Sequence, residues 1–444
     1  MAEASQGGAG TRTVTDRIRA VMQDLGVTAS HFGTSEPTEL RAFISDGPDA
    51  LSSLTLLNCL RFPLDALSTI APRVIAFSGD SGLAGDAMRK ARPFLAGAEI
   101  VQFLDYPAMA WTDMAADHTA RIAESMLSFL ERLDDLHPAT RLCGVAHQAE
   151  IDGITVRVDG NGPALFLLPA ILAPSQWDPL IESLAEKFAV VRLGGPHLGI
   201  VATLEDRGNH PNYRRVVGNM LRDAQVTSTD RLLEVGCGSG VISRWLARDG
   251  LCATPVTAID LNPFLLGEAR MLTEREGLVG AIDFQQGNAE ALAFGDDSFD
   301  VVLSITVIEE CDADKAISEM VRVVKPGGRV AVKVRACDMP MFWNLPLDPD
   351  IKNKAETPIR QVASRGCADG SLMQRFCSAG LKEVMAYPTY HGSVALQAAF
   401  EPMALSHLND EEKTAWQAAK AKAIAEGTFY VMHPVHCAIG KKPQ

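Results

Sequence analysis

The stretch Leu232-Leu233-Glu234-Val235-Gly236-Cys237-Gly238-Ser239-Gly240 decides how this chain is read. A short apolar run meets three glycines at alternate positions, and an amphipathic stretch, Val241–Arg248, follows. That is a strand, a tight turn and a helix. Gly236 and Gly238 let the backbone turn sharply and let a ligand approach without meeting a Cβ. Working outward, Asp260 closes the next apolar run, Val256–Ile259, where a carboxylate can accept hydrogen bonds from two adjacent hydroxyls. Gly287-Asn288-Ala289-Glu290 follows a third run, Ile282–Gln285, and precedes Asp297-Ser298-Phe299-Asp300-Val301-Val302. Lys325-Pro326-Gly327-Gly328-Arg329-Val330 breaks a helix and launches a run over Arg329–Val334. Strands alternating with helices at this spacing imply an α/β fold with a mostly parallel sheet.

The bulk numbers fit that class. The chain has 444 residues, 47% hydrophobic and 22% charged, which suits a soluble globular protein of two or three domains. A net charge of −14 repels phosphate backbones and disfavours a general nucleic-acid-binding role. No apolar run is long enough to span a membrane. Met1–Thr11 has no apolar core of a signal peptide, so residues 1–13 read as a flexible tail. Nine scattered cysteines without a C-x-x-C pair argue against disulfides or a zinc site and for a reducing, cytoplasmic location.

A dinucleotide fingerprint wants a further glycine at position 241, and this chain has Val241. The four motifs in this order resemble the class I S-adenosylmethionine-dependent methyltransferases, especially the small-molecule branch of the ubiquinone/menaquinone methyltransferases. The resemblance implies a Rossmann-like sheet over residues 201–444, S-adenosylmethionine as cofactor and a small-molecule methyl acceptor. It implies that Glu234 orients the loop and the methionine amino group, with Gly236, Gly238 and Gly240 beside it. Asp260 would hold the ribose, Leu261 pack on the adenine, and Asn288 and Ala289 meet the adenine edge. Many relatives carry Asp where this chain has Asn288, and an amide can still accept from the adenine amino group. Thr306 would lie near the methyl group. Tyr213 either closes over the cofactor or merely packs its helix.

An acceptor hydroxyl or acidic carbon calls for a base. Glu309, Glu310 and His391 are the candidates, with His433 and His436 behind them on a last strand, Phe429–Gly440. The two glutamates either face the acceptor or form a solvated pair at a helix start. His391, at a strand end near the site mouth, is either a base or a surface histidine. Insertions near 338–370 and 396–426 are expected to cover the acceptor and set specificity.

Residues 14–200 form a second α/β block that resembles an α/β-hydrolase without its chemistry. Gly33-Thr34-Ser35-Glu36-Pro37 resembles the nucleophile elbow with Pro37 in place of its last glycine. Asp80 stands where the acid is expected, Leu104-Asp105-Tyr106 where the histidine belongs, and Pro169-Ala170 where the oxyanion loop begins. Strands resembling the first of a hydrolase, within Asp152–Leu193, come after those resembling the last, with Leu136–Glu150 as connector. The block reads as one circularly permuted domain, a non-catalytic docking module or a route to a homo-oligomer. The competing readings are a protein that only binds, and a hydrolase using Ser35.

Overall fold

A computed structural model describes residues 13–108, 113–143, 147–170, 174–195, 197–253, 255–358, 362–363, 365–392, 400–401 and 403–444. The chain divides into two compact units with the boundary at Ala202/Thr203.

Among the described residues the first unit has nine strands: β1 Ser30–Thr34, β2 Leu51–Leu57, β3 Val74–Ser81, β4 Glu99–Pro107, β5 Arg141–Leu142, β6 His147–Ile151, β7 Ile154–Asp159, β8 Gly162–Leu167 and β9 Ala189–Gly194. They lie in the order β4-β3-β2-β1-β8-β9-β7-β6, with β5 paired to β8. The early and late stretches therefore share one sheet, and the junction is parallel, with His31 opposite Leu165 and Phe32 opposite Phe166. Strands β1, β2 and β8 are buried along their whole length. Helices cover both faces of a parallel sheet, so its central strands read as unbroken runs rather than as alternation.

Three expectations change here. The connector Leu136–Glu150 contains β5 and most of β6, the latter an antiparallel edge strand beside β7. The stretch Asp113–Leu133, whose apolar spacing reads as one helix, forms two, Met114–Asp117 and Thr119–Leu136, separated at His118, whose φ of −131° is not helical. Of the tail, residues 1–12 lie outside the described residues, and Thr13 caps the helix Val14–Asp24 in a reciprocal pair with Asp16.

The second unit carries β10 Leu232–Val235, β11 Val256–Asp260, β12 Ile282–Gln286, β13 Phe299–Ile305, β14 Val324–Arg335, β15 Phe342–Trp343, β16 Lys382–His391 and β17 Val431–Lys441. The order is β12-β11-β10-β13-β14-β17, and both β15 and β16 pair with β17. Strands β10 to β14 are parallel, and β17 runs antiparallel between β14 and β16. The chain moves outward from β10 through β11 to β12, then returns to the other side of β10 with β13. A reversal of that kind leaves a crevice at the carboxyl ends of β10 and β13, where ligands of open α/β sheets bind.

The described residues of the two insertions form elements of their own. β15, the helix Pro349–Ala355 and the helix Asp410–Ala425 bury Trp343, Leu345, Leu408 and Trp416 in a small core of their own. The two indoles meet edge-on at 4.9 Å. Residues 396–399 and 402 of the second insertion lie outside the described residues.

Candidate functional site

The glycine loop sits in the crevice because other side chains cannot. Gly236, Gly238 and Gly240 have φ of +75°, +56° and +75°, and a Cβ on Gly236 would stand 2.2 Å from Val307 Cγ2. The amides of Gly236 and Cys237 donate to the Ile259 carbonyl at 2.8 and 2.9 Å, tying the loop to the end of β11. The next residue, Asp260, accepts from the Gly238 amide at 2.8 Å and from the Asn262 amide at 2.9 Å, one bond on each oxygen. Burial raises its carboxyl above the usual range, and those amides oppose the rise. Leu261 turns an apolar side chain outward, 60% exposed. Asn288 is exposed, and its Oδ1 accepts from the Glu290 amide at 2.9 Å. Ala289 is buried. Thr306 follows β13 in the left-handed region, φ +56°, its amide donating to the Lys333 carbonyl at 2.7 Å.

Behind the loop lies a network that sequence reasoning missed. Arg244, buried in the helix Val241–Arg248, pairs with Glu205 from the helix Gly199–Asn209. It also donates to the Ser239 carbonyl at 2.6 Å and to Glu276 at 2.9 Å. The Ser239 hydroxyl donates to Glu205 at 2.6 Å. Glu234, also buried, accepts from the Ser243 hydroxyl, and burial pushes its carboxyl up to about 7.

Beyond β13 a second group gathers. Tyr213, on the helix Pro211–Asp223, is buried, and its ring meets the His391 imidazole edge-on at 5.1 Å. Lys333 Nζ lies 4.7 Å and the Arg207 guanidinium carbon 5.3 Å from the centre of the same ring. His391 is buried at the end of β16, which corrects the reading of a surface histidine. It stacks on buried His433, and burial holds it well below the ordinary histidine range, with the Lys333 charge adding to the effect. His436 is half-buried and bonds Asp338 at 2.8 Å. The two glutamates separate. Glu309 is buried and accepts from the Arg335 amide at 2.8 Å, whereas Glu310 is exposed and pairs with the Arg335 guanidinium at 2.6 Å. Neither sits at a helix start, since the helix that follows begins at Ala313, capped by Asp312. Among the described residues no group of three or more His, Cys, Asp or Glu is placed to hold a metal ion, and no helix is long and apolar enough to cross a membrane.

Comparison with known proteins bears on this crevice. The family described as "Methyltransferase domain" matches residues 233–332. An uncharacterized protein of Mycobacterium tuberculosis is 39% identical over 109 residues, 24% of this chain and 38% of that one. The ubiquinone/menaquinone biosynthesis C-methyltransferase UbiE of Vibrio parahaemolyticus is 38% identical over 103 residues, 23% of this chain and 40% of that one. The malonyl-acyl-carrier-protein O-methyltransferase of Erwinia billingiae is 31% identical over 184 residues, 40% of this chain and 69% of that one. The chain belongs to the class I S-adenosylmethionine-dependent methyltransferases. It spans about two-fifths of the length of the first two of these relatives. In this chain the matched segment opens at β10 and closes within β14, so it takes in the glycine loop, Asp260 and Thr306. It stops short of Lys333 and His391 and starts after Glu205, Arg207 and Tyr213. Lys333 carried a sequence signal, a lone charge within the apolar run Val330-Ala331-Val332-Lys333-Val334. Glu205 and Arg207 carried none, since a charged residue in an amphipathic helix usually faces water.

Proposed function

We propose that this protein transfers a methyl group from S-adenosylmethionine to a small-molecule acceptor at the carboxyl ends of β10, β13 and β14. One observation carries the reading: Asp260 is fixed by two backbone amides beside a loop of three left-handed glycines, with an exposed leucine next to it. Each carboxylate oxygen accepts one amide and retains capacity for a ribose hydroxyl. Leu261 offers the adenine an apolar face, Ala289 its backbone, and Asn288 its carboxamide. Glu234 would hold the methionine ammonium, with Gly236, Gly238 and Gly240 leaving room for the amino-acid part. Thr306 and Tyr213 would border the methyl group.

When bound, the cofactor supplies a methyl carbon on a sulfonium whose sulfur leaves with the bonding pair as a neutral thioether. This chain's part is to align the acceptor behind that carbon and to take its proton. His391 suits the proton, because burial keeps it neutral and its Nδ1 has no hydrogen-bond partner among the described residues. Glu310 is less suited, since its Oε1 already accepts from the Arg335 guanidinium at 2.6 Å.

The first unit we read as a degenerate, permuted α/β-hydrolase-like domain that docks or dimerises. What supports this is the joining of late strands to early ones at β1 and β8, and Asp80 accepting from the Asp105 and Tyr106 amides where a histidine would follow. Ser35 is buried with its hydroxyl donated to the Leu57 carbonyl, and its φ is not left-handed, so the serine-hydrolase reading lacks an exposed nucleophile.

The test is calorimetry of S-adenosylhomocysteine binding to wild type and Asp260→Ala. Loss of a charged partner for the ribose should weaken binding by roughly ten- to a hundred-fold. Equal affinities would remove the ribose assignment.

A further inference from the structure

Buried polar atoms in folded proteins find partners, and clusters of exceptions ask for an explanation. In the second unit six such atoms without a hydrogen-bond partner among the described residues belong to interacting side chains: Arg207 Nε, Tyr213 Oη, Glu309 Oε2, Lys333 Nζ, Arg335 Nε and His391 Nδ1. The charges are unequal as well. Arg335 is answered by Glu309 and Glu310. Lys333 and Arg207 have no ion pair among the described residues, although both lie against the Tyr213 ring. The ring face offsets part of a cation's desolvation, but it satisfies none of the directed N–H bonds.

We propose that this group is the acceptor subsite, and that it recognises an acceptor carrying an oxyanion, a carboxylate or phenolate, held by Lys333 and Arg207 with the Tyr213 hydroxyl as a further donor. The proposal rests on the methyltransferase reading and adds the charge of the substrate to it. Position favours the acceptor over the cofactor's own carboxylate. Lys333 lies on β14, two strands from the glycine loop at the end of β10, a separation of about 10 Å. A pocket lined by Met339, Met341, Phe400, Arg335 and His433 adjoins the group through His433, which stacks on His391. The pocket is small, and Met339, Met341 and Phe400 give it an apolar wall. Two unpaired cations also repel one another, and both burial and Arg207 push the Lys333 amine down to about 7. Loss of its proton would remove the charge yet leave its remaining N–H groups unbonded, so an anion answers both deficits.

The experiment uses the full chain saturated with S-adenosylhomocysteine and compares benzoate with its neutral isostere benzamide by calorimetry. Wild type should bind benzoate about tenfold or more tightly than benzamide, as befits a charge-assisted contact. The preference should vanish in Lys333→Met and shrink in Arg207→Gln, while both variants keep their affinity for S-adenosylhomocysteine to within about threefold. Thermal unfolding of each variant is read first, and Arg207→Gln, on a half-buried helix position, stands in if Lys333→Met fails to fold. Benzoate binding no better than benzamide, or neither binding, overturns the proposal. A loss of more than about tenfold in S-adenosylhomocysteine affinity in Lys333→Met assigns the cations to the cofactor's carboxylate and also overturns it. Failure of wild type to bind S-adenosylhomocysteine is a different result, and it removes the methyltransferase reading beneath.

Discussion

The buried carboxyl of Glu234 costs the fold stability at neutral pH. Desolvation, with the Asp260 charge adding to it, raises that carboxyl from 4.5 to about 7 against the Ser243 hydroxyl and amide and the Arg244 charge. A group whose folded value exceeds its unfolded value stabilises the fold below the unfolded value, and that contribution is lost as pH rises through the folded one. Glu234 therefore contributes stability near pH 4.5 that disappears by about pH 7, a change of roughly 3 kcal/mol. Glu234→Gln copies the protonated form without titrating. Urea unfolding should find the two proteins similar at pH 5 and the variant more stable by roughly 3 kcal/mol at pH 8. A difference that does not grow with pH would show that Glu234 ionises in the fold as it does in water. The same substitution should weaken S-adenosylhomocysteine binding at pH 8, because a buried carboxylate is then missing opposite an ammonium.

At the scale of elements, the glycine loop depends on two helices that approach it from different parts of the chain. Arg244 in Val241–Arg248 and Glu205 in Gly199–Asn209 form a pair with the Arg244 side chain 1% and the Glu205 side chain 9% exposed, and Ser239 of the loop bonds to both. Removing one member of a buried pair leaves the other charge uncompensated, typically at 3–5 kcal/mol. Glu276 also meets Arg244, so Glu205→Ala should cost roughly 3 kcal/mol and loosen the loop, and chemical denaturation with cofactor titration would measure both. A cost under about 1 kcal/mol would mean that Glu276 alone compensates Arg244. The contrast between loop and network explains what the sequence could reveal. Gly236, Gly238, Gly240 and Asp260 were legible because a left-handed turn and a carboxylate at a strand end leave few residue choices. Arg244 was not, since its burial depends on a glutamate from another element. The polar strand β6, His-Gln-Ala-Glu-Ile, read as a linker because an edge strand bonds on one side only and tolerates polar residues. His391 read as exposed because its cover comes from Tyr213 and His433, which pairing and packing bring together across more than forty residues of chain.

At the scale of the molecule, the first unit tests how far order along the chain can depart from order in a sheet. β8 and β9 arise late but lie inside the sheet, with β4, β3, β2 and β1 on one side of the pair and β7 and β6 on the other. The packing crosses the same seam: Phe32 meets Phe43 and Phe166 at ring separations of 5.5 and 5.6 Å, and one core joins Leu54 and Val74 to Val156 and Val191. Cutting the chain after Pro138 therefore removes the partner edge of β1, a buried strand, and strips apolar cover from both faces. A fragment of residues 1–138 should form at most a compact state with helical and strand signal, dye-accessible apolar surface and no cooperative urea transition. A fragment of residues 1–202, which keeps β8 and β9, should unfold in one cooperative step. The slope of that transition should match the surface of one domain rather than two smaller ones, because slope grows with the area exposed on unfolding. A monomeric, cooperatively unfolding 1–138 fragment would mean that the early strands form a domain by themselves, with β8 and β9 added at its edge.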